Sequence, residues 1–397
     1  MARAEPCIVG IGQTEYAFRG QLAHRGALSL ALEAVKNAAA DAGLPIDAID
    51  GFASFSDDPL DGGVLAFELG LPELRYSAMA WGGGGANAMG ALVLAADAVR
   101  SGSANYVVVF RAIIMDETKR FGKSLSGPAF SGKRTTSDPF SMVQFSMPFG
   151  LLSPAQTYAL SARRHMALYG TTTEHFGHVA VAMRRHAARN PIALRRTPIT
   201  LDDHAASPFI ADPIRRLDCC QENDGACAYL VTTAERARDL RRPTVRVLNA
   251  VMGGMPRWPS DPASQNMRTA DFATGGQAPL ARRLFGEAGV KPDDVDVALL
   301  FDNFTPQIVM SLEDLGFCKP GEGGPFIVDQ GISWDRGKLP INTHGGLHSE
   351  AYVHMNHVLE GIRQIRGTST AQVANCEIAL VAGTPGRSPT SLALLAR

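Results

Sequence analysis

Residues 342–352, NTHGGLHSEAY, place two histidines and a tyrosine around a pair of glycines. Imidazole and phenol side chains can give or accept protons, so His344, His348 and Tyr352 are candidates for acid–base chemistry. A single histidine is usually a packed or solvated residue. Two histidines within five positions, close to a tyrosine, favour a functional role as much as a structural one.

A run of four glycines, Gly82, Gly83, Gly84 and Gly85, is a second candidate for part of a site. Because glycine has no side chain, such a run could present backbone N–H groups to a developing negative charge, as an oxyanion hole does. It could also let a bulky substrate approach the backbone closely. The same run could equally form only a tight turn, and the sequence leaves both interpretations open.

The six cysteines are scattered along the chain, without CxxC pairs and without histidines at the spacing of a zinc site. The sequence therefore predicts neither a disulfide framework nor a metal site, and we expect buried free thiols. The chain also has no GxGxxG or Walker pattern, so nothing in it indicates a dinucleotide or ATP. The cysteines are Cys7, Cys219, Cys220, Cys227, Cys318 and Cys376.

The elements that must position these residues come in two similar copies. At one constant offset, residues 42–55 (AGLPIDAIDGFASF) and 288–301 (AGVKPDDVDVALLF) share five identities in fourteen positions. Chance is a poor explanation for this match, so we predict a duplicated fold. The elements predicted before the two stretches are the strand Cys7–Gly12 and a helix over about 27–42, then the strand Thr244–Val251 and a helix over about 280–288.

The two copies also continue in parallel after these stretches. The first glycine run opens a predicted helix followed by the strand Tyr106–Phe110, and Gly345–Gly346 open a predicted helix over 347–367 followed by the strand Ile378–Ala382. Alternating strands and helices predict an α/β protein with a mixed, largely parallel sheet covered by helices, in which two halves stack. His354 and His357 are expected on the surface of the second helix or at a partner contact.

The predicted halves span 1–240 and 241–397. The first half includes an inserted loop domain at about 113–212, because its Pro/Gly-rich and basic sequence has no counterpart in the second half. We expect this insertion to cover the active site. Within it, RRHMALYG and MRRHAARNP are typical of amphipathic helices with exposed arginines.

Composition excludes several classes of function. The formal net charge of −1 over 397 residues gives no field of one sign that would attract nucleic acid or a membrane surface. The chain starts without a secretory leader and has no apolar run approaching the roughly 18 residues that a membrane span needs. We therefore expect a cytoplasmic protein without a membrane span.

The duplicated halves, the glycine turn in each and the NTHGG motif resemble the thiolase superfamily over essentially the whole chain. The resemblance implies a thiolase fold with duplicated αβαβα halves and an inserted loop domain. Thiolases carry a nucleophilic cysteine on the first glycine turn, where this chain has glycine, and a second cysteine that would fall near Gly383. Tyr352 stands where thiolases have a histidine. An acyl-enzyme is not expected, because glycine offers no nucleophile.

Further motifs are similar to the sterol-carrier-protein-X and lipid-transfer-protein branch, in particular to bacterial steroid side-chain aldolases. The resemblance implies retro-aldol cleavage of a β-hydroxyacyl-CoA into a ketone or aldehyde and a short acyl-CoA, with the CoA thioester as substrate and no covalently bound cofactor. It also implies a homodimer formed through the first-half sheet and a partner protein with an OB fold and a zinc ribbon. The motifs are NTHGGLHSEAY, FDNF at 301–304, VVVFRA, LDCCQENDGA and LEDLGFC.

This resemblance makes Tyr352 the leading candidate for the base that accepts the β-hydroxyl proton. A tyrosine has an ordinary pKa of about 10, so the site must lower it or relay the proton. His344 and His348 could polarise the thioester carbonyl or orient Tyr352. The residues expected to contact the substrate are Gly82, Gly83, Gly84, Gly85, Phe301, Gly345, Gly346 and Gly383.

Phe301 departs from the pattern of this branch. The FDNF segment aligns with a thiolase segment whose asparagine helps to hold a catalytic water, and aldolase relatives commonly have tyrosine at the position of Phe301. Phenylalanine cannot donate or accept a proton. Asp302 or Asn303 could supply a polar group instead, or either could simply cap the loop, and we take Asn303 as the candidate.

Two other functions remain compatible with these residues. One is a non-catalytic acyl-CoA-binding subunit, which Phe301 favours. The other is an acyltransferase that holds both substrates without covalent catalysis.

Overall fold

The computed structural model describes residues 4–55, 58–81, 84–115, 147–151, 153–255, 273–386 and 389–397. The strands are β1 Pro6–Gln13, β2 Ala17–Phe18, β3 Gly51–Phe55, β4 Tyr76–Ala80, β5 Val107–Ile113, β6 Phe209–Ala211, β7 Ile214–Arg215, β8 Asn223–Thr233, β9 Val245–Gly253, β10 Val297–Leu300, β11 Ile378–Ala382 and β12 Thr390–Ala396. The helices are α1 Gly26–Ala42, α2 Gly62–Leu69, α3 Ala88–Ser101, α4 Pro154–Tyr169, α5 Thr173–Ala187, α6 Leu201–Ala206, α7 Ala278–Ala288, α8 Thr305–Asp314, α9 Gly323–Pro325, α10 Gly346–Ser349 and α11 Asn356–Arg366.

One sheet runs through both halves, in the order β10-β11-β12-β9-β1-β8-β5-β3-β4, with β2 paired to β8 beside this path. The halves join where β1 and β9 pair antiparallel, through Cys7 with Arg246 and Ile8 with Val245. Parallel pairing occurs only at the two ends of this order, between β10 and β11 and among β5, β3 and β4. The prediction of a mixed sheet is confirmed.

The prediction that the sheet is largely parallel is wrong. Strands β8 and β12, which the sequence analysis does not identify, run antiparallel to both of their neighbours. β12 begins soon after β11 ends, too soon for the crossover helix that a parallel pair requires. β8 follows the insertion.

Helices α3 and α11 form the middle layer of the molecule. α3 packs on β3 and β4 of the first half and on β9 and β12 of the second, while α11 packs on β10 and β11 and also on β1 and β8. Helices α1 and α2 cover the outer face of the first half, and α5, α7 and α8 cover that of the second. This layering confirms the predicted thiolase fold with duplicated αβαβα halves.

The sequence of α11 explains why it lies between two sheet surfaces. Val358, Leu359, Ile362 and Ile365 are all buried in the central core, and burying each such aliphatic side chain contributes roughly 1.5–3 kcal/mol. Because sheets cover both sides of this helix, polar residues at its start are buried as well. His357 is only 1% exposed.

The helix predicted over 347–367 is broken. Its first turn, α10, ends at Ser349, and α11 begins at Asn356. The carbonyl oxygens of Ser349 and Glu350 accept hydrogen bonds from the backbone N–H groups of Arg195 and Leu194. These carbonyls are therefore used by the insertion instead of by a continuing helix.

The described part of the insertion contains the two predicted amphipathic helices, within α4 and α5. Both begin with a capping box, at Ser153 and Thr172. α5 buries Phe176, Val179 and Met183 in the core of the second half. The domain boundaries at 113, 212 and 240 stay predictions, and residues 116–146 lie outside the described part of the chain. No helix in that described part is long and apolar enough to cross a membrane.

The two halves approach closely where Gly383 faces the end of the first glycine turn. A Cβ added to Gly383 would lie 2.2 Å from the carbonyl oxygen of Ala86. That carbonyl also accepts a hydrogen bond of 2.6 Å from the Ser391 hydroxyl. Glycine at 383 is therefore explained by backbone packing, and its contact with substrate remains a prediction.

We predict that Gly383→Ala lowers the free energy of unfolding by about 2 kcal/mol, because the methyl group forces two backbone segments apart. Urea unfolding measures this change. The control is Gly286→Ala, at an exposed position in α7 with nothing within 4 Å of the added carbon; it should raise stability by about 0.5–1 kcal/mol. Equal stability of the two variants would contradict the close approach.

Candidate active site

The carboxylate of Asp302 lies at the centre of the candidate site. It follows β10, is completely buried, and accepts four hydrogen bonds from three residues. The backbone N–H of Leu347 donates to both oxygens at 2.9 and 3.1 Å, His348 Nδ1 donates at 2.8 Å and His357 Nε2 donates at 3.0 Å. One carboxylate therefore joins the end of β10, the second glycine turn and α11.

The protonation of this cluster follows from its contacts. Burial alone would raise the pKa of Asp302, but the hydrogen bonds and positive charge of His348 and His357 hold it well below its usual range. His348 also donates from Nε2 to the Asp218 carbonyl at 2.8 Å. Both of its ring nitrogens thus face acceptors, and although burial opposes the charge, the Asp302 carboxylate raises the pKa of His348. His348 is an imidazolium paired with a carboxylate.

The second glycine turn forms the other side of this carboxylate. A Cβ on Gly346 would lie 2.0 Å from the Asp302 carboxylate, and a Cβ on Gly345 would lie 2.6 Å from Ala187. Both glycines also have positive φ angles, of 107° and 63° for Gly345 and Gly346, which other residues adopt only at a cost. Packing and backbone conformation account for glycine here, and a contact with substrate remains a prediction.

Phe301, the neighbour of Asp302, closes the first glycine turn. A Cβ on Gly85 would lie 2.0 Å from Cε2 and 2.5 Å from Cζ of the Phe301 ring. The ring therefore occupies the space that any side chain at Gly85 would need. Gly84 and Gly85 begin the short helical turn that leads into α3, whereas Gly82 and Gly83 lie outside the described residues.

Tyr352 lies on the irregular segment between α10 and α11, not on a helix. Its side chain is buried, and its backbone N–H donates to Asn223 Oδ1 at 2.5 Å. Its ring meets Phe301 edge to face, with 6.3 Å between ring centres. Ile113, Met115 and Leu347 complete an apolar cluster around the two rings. The site thus combines a phenol group with apolar walls.

The expectation that His354 and His357 lie on a surface is wrong. His354 is 4% exposed, and its ring centre lies 4.3 Å from that of Tyr352 and 5.4 Å from that of Phe301. His357 is held by Asp302 and stacks on Phe301. His354 is buried because the segment between α10 and α11 enters the middle layer of the molecule, and His357 is buried because α11 forms part of that layer.

His344 lies one layer behind Asp302. Its ring packs edge to face on His357, with 4.9 Å between centres, and its Nε2 is 3.8 Å from the Glu350 carboxylate. Neither ring nitrogen has a hydrogen-bond partner among the described residues. Burial, reinforced by His357, lowers the pKa of His344 well below its usual value, and burial raises the pKa of Glu350 to about 7. His344 is therefore neutral.

Asn303 contributes its backbone to the fold, since its carbonyl accepts the N–H of Cys220 at 2.9 Å. Its side-chain oxygen is buried without a hydrogen-bond partner among the described residues. The sequence analysis considered both Asp302 and Asn303, chose Asn303 as the candidate and missed Asp302 as the centre. An acid directly after a buried strand, with histidines flanking a distant glycine pair, is the signal that could have identified it.

We predict that Asp302→Asn lowers the free energy of unfolding by about 3 kcal/mol at pH 6, because it leaves the buried His348 imidazolium without its counter-charge. The loss should shrink below about pH 4, where the unfolded carboxyl takes up its proton. It should shrink again as pH rises through the raised pKa of His348. Urea unfolding from pH 3 to 9 measures the free energy of unfolding across both changes.

The control for this experiment is Asp97→Asn, at an exposed carboxylate on α3 that pairs with Arg100. Surface pairs of this kind are worth about 0–1 kcal/mol. If Asp302→Asn cost no more than this control at pH 6, the buried charge pair would be refuted.

Comparisons with known proteins show the family of this chain. Residues 262–395 match the family model described as thiolase C-terminal domain-like. The chain is 42% identical to a 17-hydroxy-3-oxo-4-pregnene-20-carboxyl-CoA lyase of Mycobacterium tuberculosis, over 98% of this chain and 99% of that protein. It is 40% identical to a steroid side-chain-cleaving aldolase of Thermomonospora curvata, over 97% and 96% of the two chains.

A solved structure described as an Ltp2-ChsH2(DUF35) aldolase superposes with a TM-score of 0.88 at 38% identity, covering 99% of this chain and 98% of the other. The resemblance stated from the motifs is thereby confirmed over nearly the whole length. The chain belongs to the thiolase superfamily, in the branch of the steroid side-chain-cleaving aldolases.

Proposed function

We propose that this protein is a carbon–carbon lyase that cleaves a β-hydroxyacyl-CoA on a steroid side chain by a retro-aldol reaction. The products are a ketone and a short acyl-CoA. The observation that carries this proposal is the Phe301 ring in the space of a Gly85 side chain. A nucleophilic side chain cannot be accommodated at position 85, so in this proposal the thioester serves as an electron acceptor and not as an acyl donor.

The reaction needs a base for the β-hydroxyl and donors for the enolate oxygen. Tyr352 is the proposed base, because its phenol lies in the apolar cluster beside Phe301, whose ring covers Gly85. The short turn Gly84–Asn87, which leads into α3, supplies backbone N–H groups. Together with the positive end of the α3 dipole, these groups favour a developing negative charge. The apolar walls suit a steroid nucleus.

Neutral His344 and cationic His348 take different parts in this proposal. His348 uses both ring nitrogens within the protein, so it holds the second glycine turn in place and does not polarise the thioester. His344 and Asn303 remain candidates for contact with the substrate, since each has a buried polar atom without a protein partner among the described residues. No covalently bound cofactor is part of the proposal.

We also propose a homodimer formed through the first-half sheet. β4 is the end strand of the sheet as described, and it leaves one edge unpaired. Apolar side chains surround that edge: Met79 is 41% exposed, Trp81 59% and Phe67 83%. An exposed apolar edge strand is a template for pairing with a second chain. Pairing across this edge would continue the sheet between two protomers.

We also propose that this chain forms a complex with a DUF35 protein. The superposed structure is described as an Ltp2-ChsH2(DUF35) aldolase, and this description names a DUF35 protein together with the aldolase. The motifs of this chain imply a partner with an OB fold and a zinc ribbon. The activity test is therefore carried out with this partner present.

We predict that the protein with its DUF35 partner converts 17-hydroxy-3-oxo-4-pregnene-20-carboxyl-CoA into a 17-ketosteroid and propionyl-CoA. Tyr352→Phe should lower kcat at least 100-fold with little change in KM, as expected for the loss of a proton-transfer group. Coupled detection of propionyl-CoA measures turnover. Tyr169→Phe, at a half-exposed tyrosine on α4, is the control and should keep full activity.

Unchanged turnover of the Tyr352→Phe variant would reject Tyr352 as the base. Mass spectrometry of the protein quenched during turnover tests the wider proposal, because the proposed retro-aldol mechanism forms no bond between the protein and the substrate. A steroid-acyl group on any cysteine would show a covalent acyl-transfer route instead.

We predict that Met79→Lys converts the dimer into a monomer, because a charge on the β4 edge opposes strand pairing. Light scattering after size-exclusion chromatography measures the mass. Leu168→Lys, at an apolar position on α4 with 48% exposure, is the matched control and should leave the dimer intact. A wild-type monomer, or a variant that stays dimeric, would exclude this edge as the interface.

A further inference from the structure

A retro-aldol reaction needs two proton transfers, and the proposed function assigns only one of them. Tyr352 removes the β-hydroxyl proton, and the α-carbon of the enolate must then receive a proton. Phe301 stands beside Tyr352 and has no group that can supply it. A second acid–base group is therefore needed within reach of the same cluster.

Asp302 and the two histidines that donate to it are already engaged with one another. His348 donates from both ring nitrogens, and His357 donates to the Asp302 carboxylate from Nε2. His344 lies behind His357, which separates it from the Phe301 ring. Cys220 packs against the apolar cluster, but burial raises the pKa of its thiol well above its usual value, which makes it a weak proton donor.

His354 borders the Tyr352 ring directly. Its imidazole meets that ring edge to face, with 4.3 Å between centres, and it also touches the rings of Phe301 and Phe55, with centres at 5.4 and 6.1 Å. An imidazole enclosed by three aromatic rings is an unusual use of a polar side chain.

The backbone of His354 supports the same interpretation. Its φ angle is 71°, in the left-handed region that non-glycine residues seldom adopt. Such strain persists where the surrounding structure imposes it, and it concentrates at functional sites. Here it occurs between α10 and α11, at the residue whose ring packs on that of Tyr352.

We propose that His354 is the second proton-transfer group of this site and protonates the α-carbon of the enolate. This inference rests on the proposed retro-aldol function. It assigns to His354 the proton transfer that a hydroxyl at position 301 could perform in relatives with tyrosine there. In this chain the imidazole of His354, two residues after Tyr352, takes that role.

The proposed step is balanced in protons and electrons. Tyr352, as the phenolate, takes the β-hydroxyl proton while the O–H electron pair becomes the new C=O bond. The bond between the α- and β-carbons breaks, and its electron pair becomes the thioester enolate. The imidazolium of His354 then gives its proton to the α-carbon, where the enolate pair forms the C–H bond. Transfer of the proton from Tyr352 to His354 restores both groups.

Two variants separate proton transfer from structure at this position. His354→Asn keeps a residue that tolerates the left-handed backbone, and His354→Phe keeps a ring of similar size. Both should lower kcat at least 100-fold in the assay with the DUF35 partner and 17-hydroxy-3-oxo-4-pregnene-20-carboxyl-CoA. KM and the melting temperature should change little. His178→Asn, at a partly exposed histidine on α5, is the control and should match the wild type.

Turnover within threefold of the wild type in either variant would overturn the proposal, because neither side chain can transfer a proton. Loss of activity in only one of the two would assign His354 a structural role and would also overturn it. Failure of the proposed function looks different: the wild-type protein itself would release no propionyl-CoA. Wild-type turnover with both variants inactive and folded is the result that supports His354.

Discussion

A buried carboxylate is stable only with donors around it, and the candidate site is built on that constraint at Asp302. Taking an unpaired carboxylate out of water costs several kcal/mol, so all of its partners must be held in place. They come from the turn of α10, from His348 and from His357 at the start of α11. This one group therefore fixes β10, the second glycine turn and the middle helix relative to each other. Because Phe301 is its neighbour in the chain, the same constraint directs that ring to Gly85.

The insertion supports the chain segment that carries Tyr352. Arg184 donates from Nε to the Ser349 hydroxyl at 3.1 Å, and Asn190 donates to the His344 carbonyl and the Glu350 carboxylate, each at 2.9 Å. Together with the backbone bonds from residues 194 and 195, these contacts end α10 and hold the segment that carries Tyr352. The irregular path of that segment is thus determined by a part of the chain about 150 residues earlier. The site is assembled from both halves and the insertion.

The duplicated fold could be predicted because the stretches 42–55 and 288–301 keep their pattern at one offset. Strands β8 and β12 could not, since long-range pairing leaves no periodic signal of its own. The burial of His354 and His357 was missed for a related reason: histidine is usually exposed, and only the second sheet surface over α11 shows that this helix has no solvent face. Asp302 was considered but not chosen, because a loop-capping acid and a buried ion-pair centre look alike in sequence.

The contact between Gly85 and the Phe301 ring also makes the two positions dependent on each other. A side-chain thiol at 85 would collide with the ring, while a smaller residue at 301 alone would leave a void against the glycine. Each of these two changes is therefore harmful when it is made alone. The two positions are coupled, so a side chain at 85 and a smaller residue at 301 can be accommodated only together.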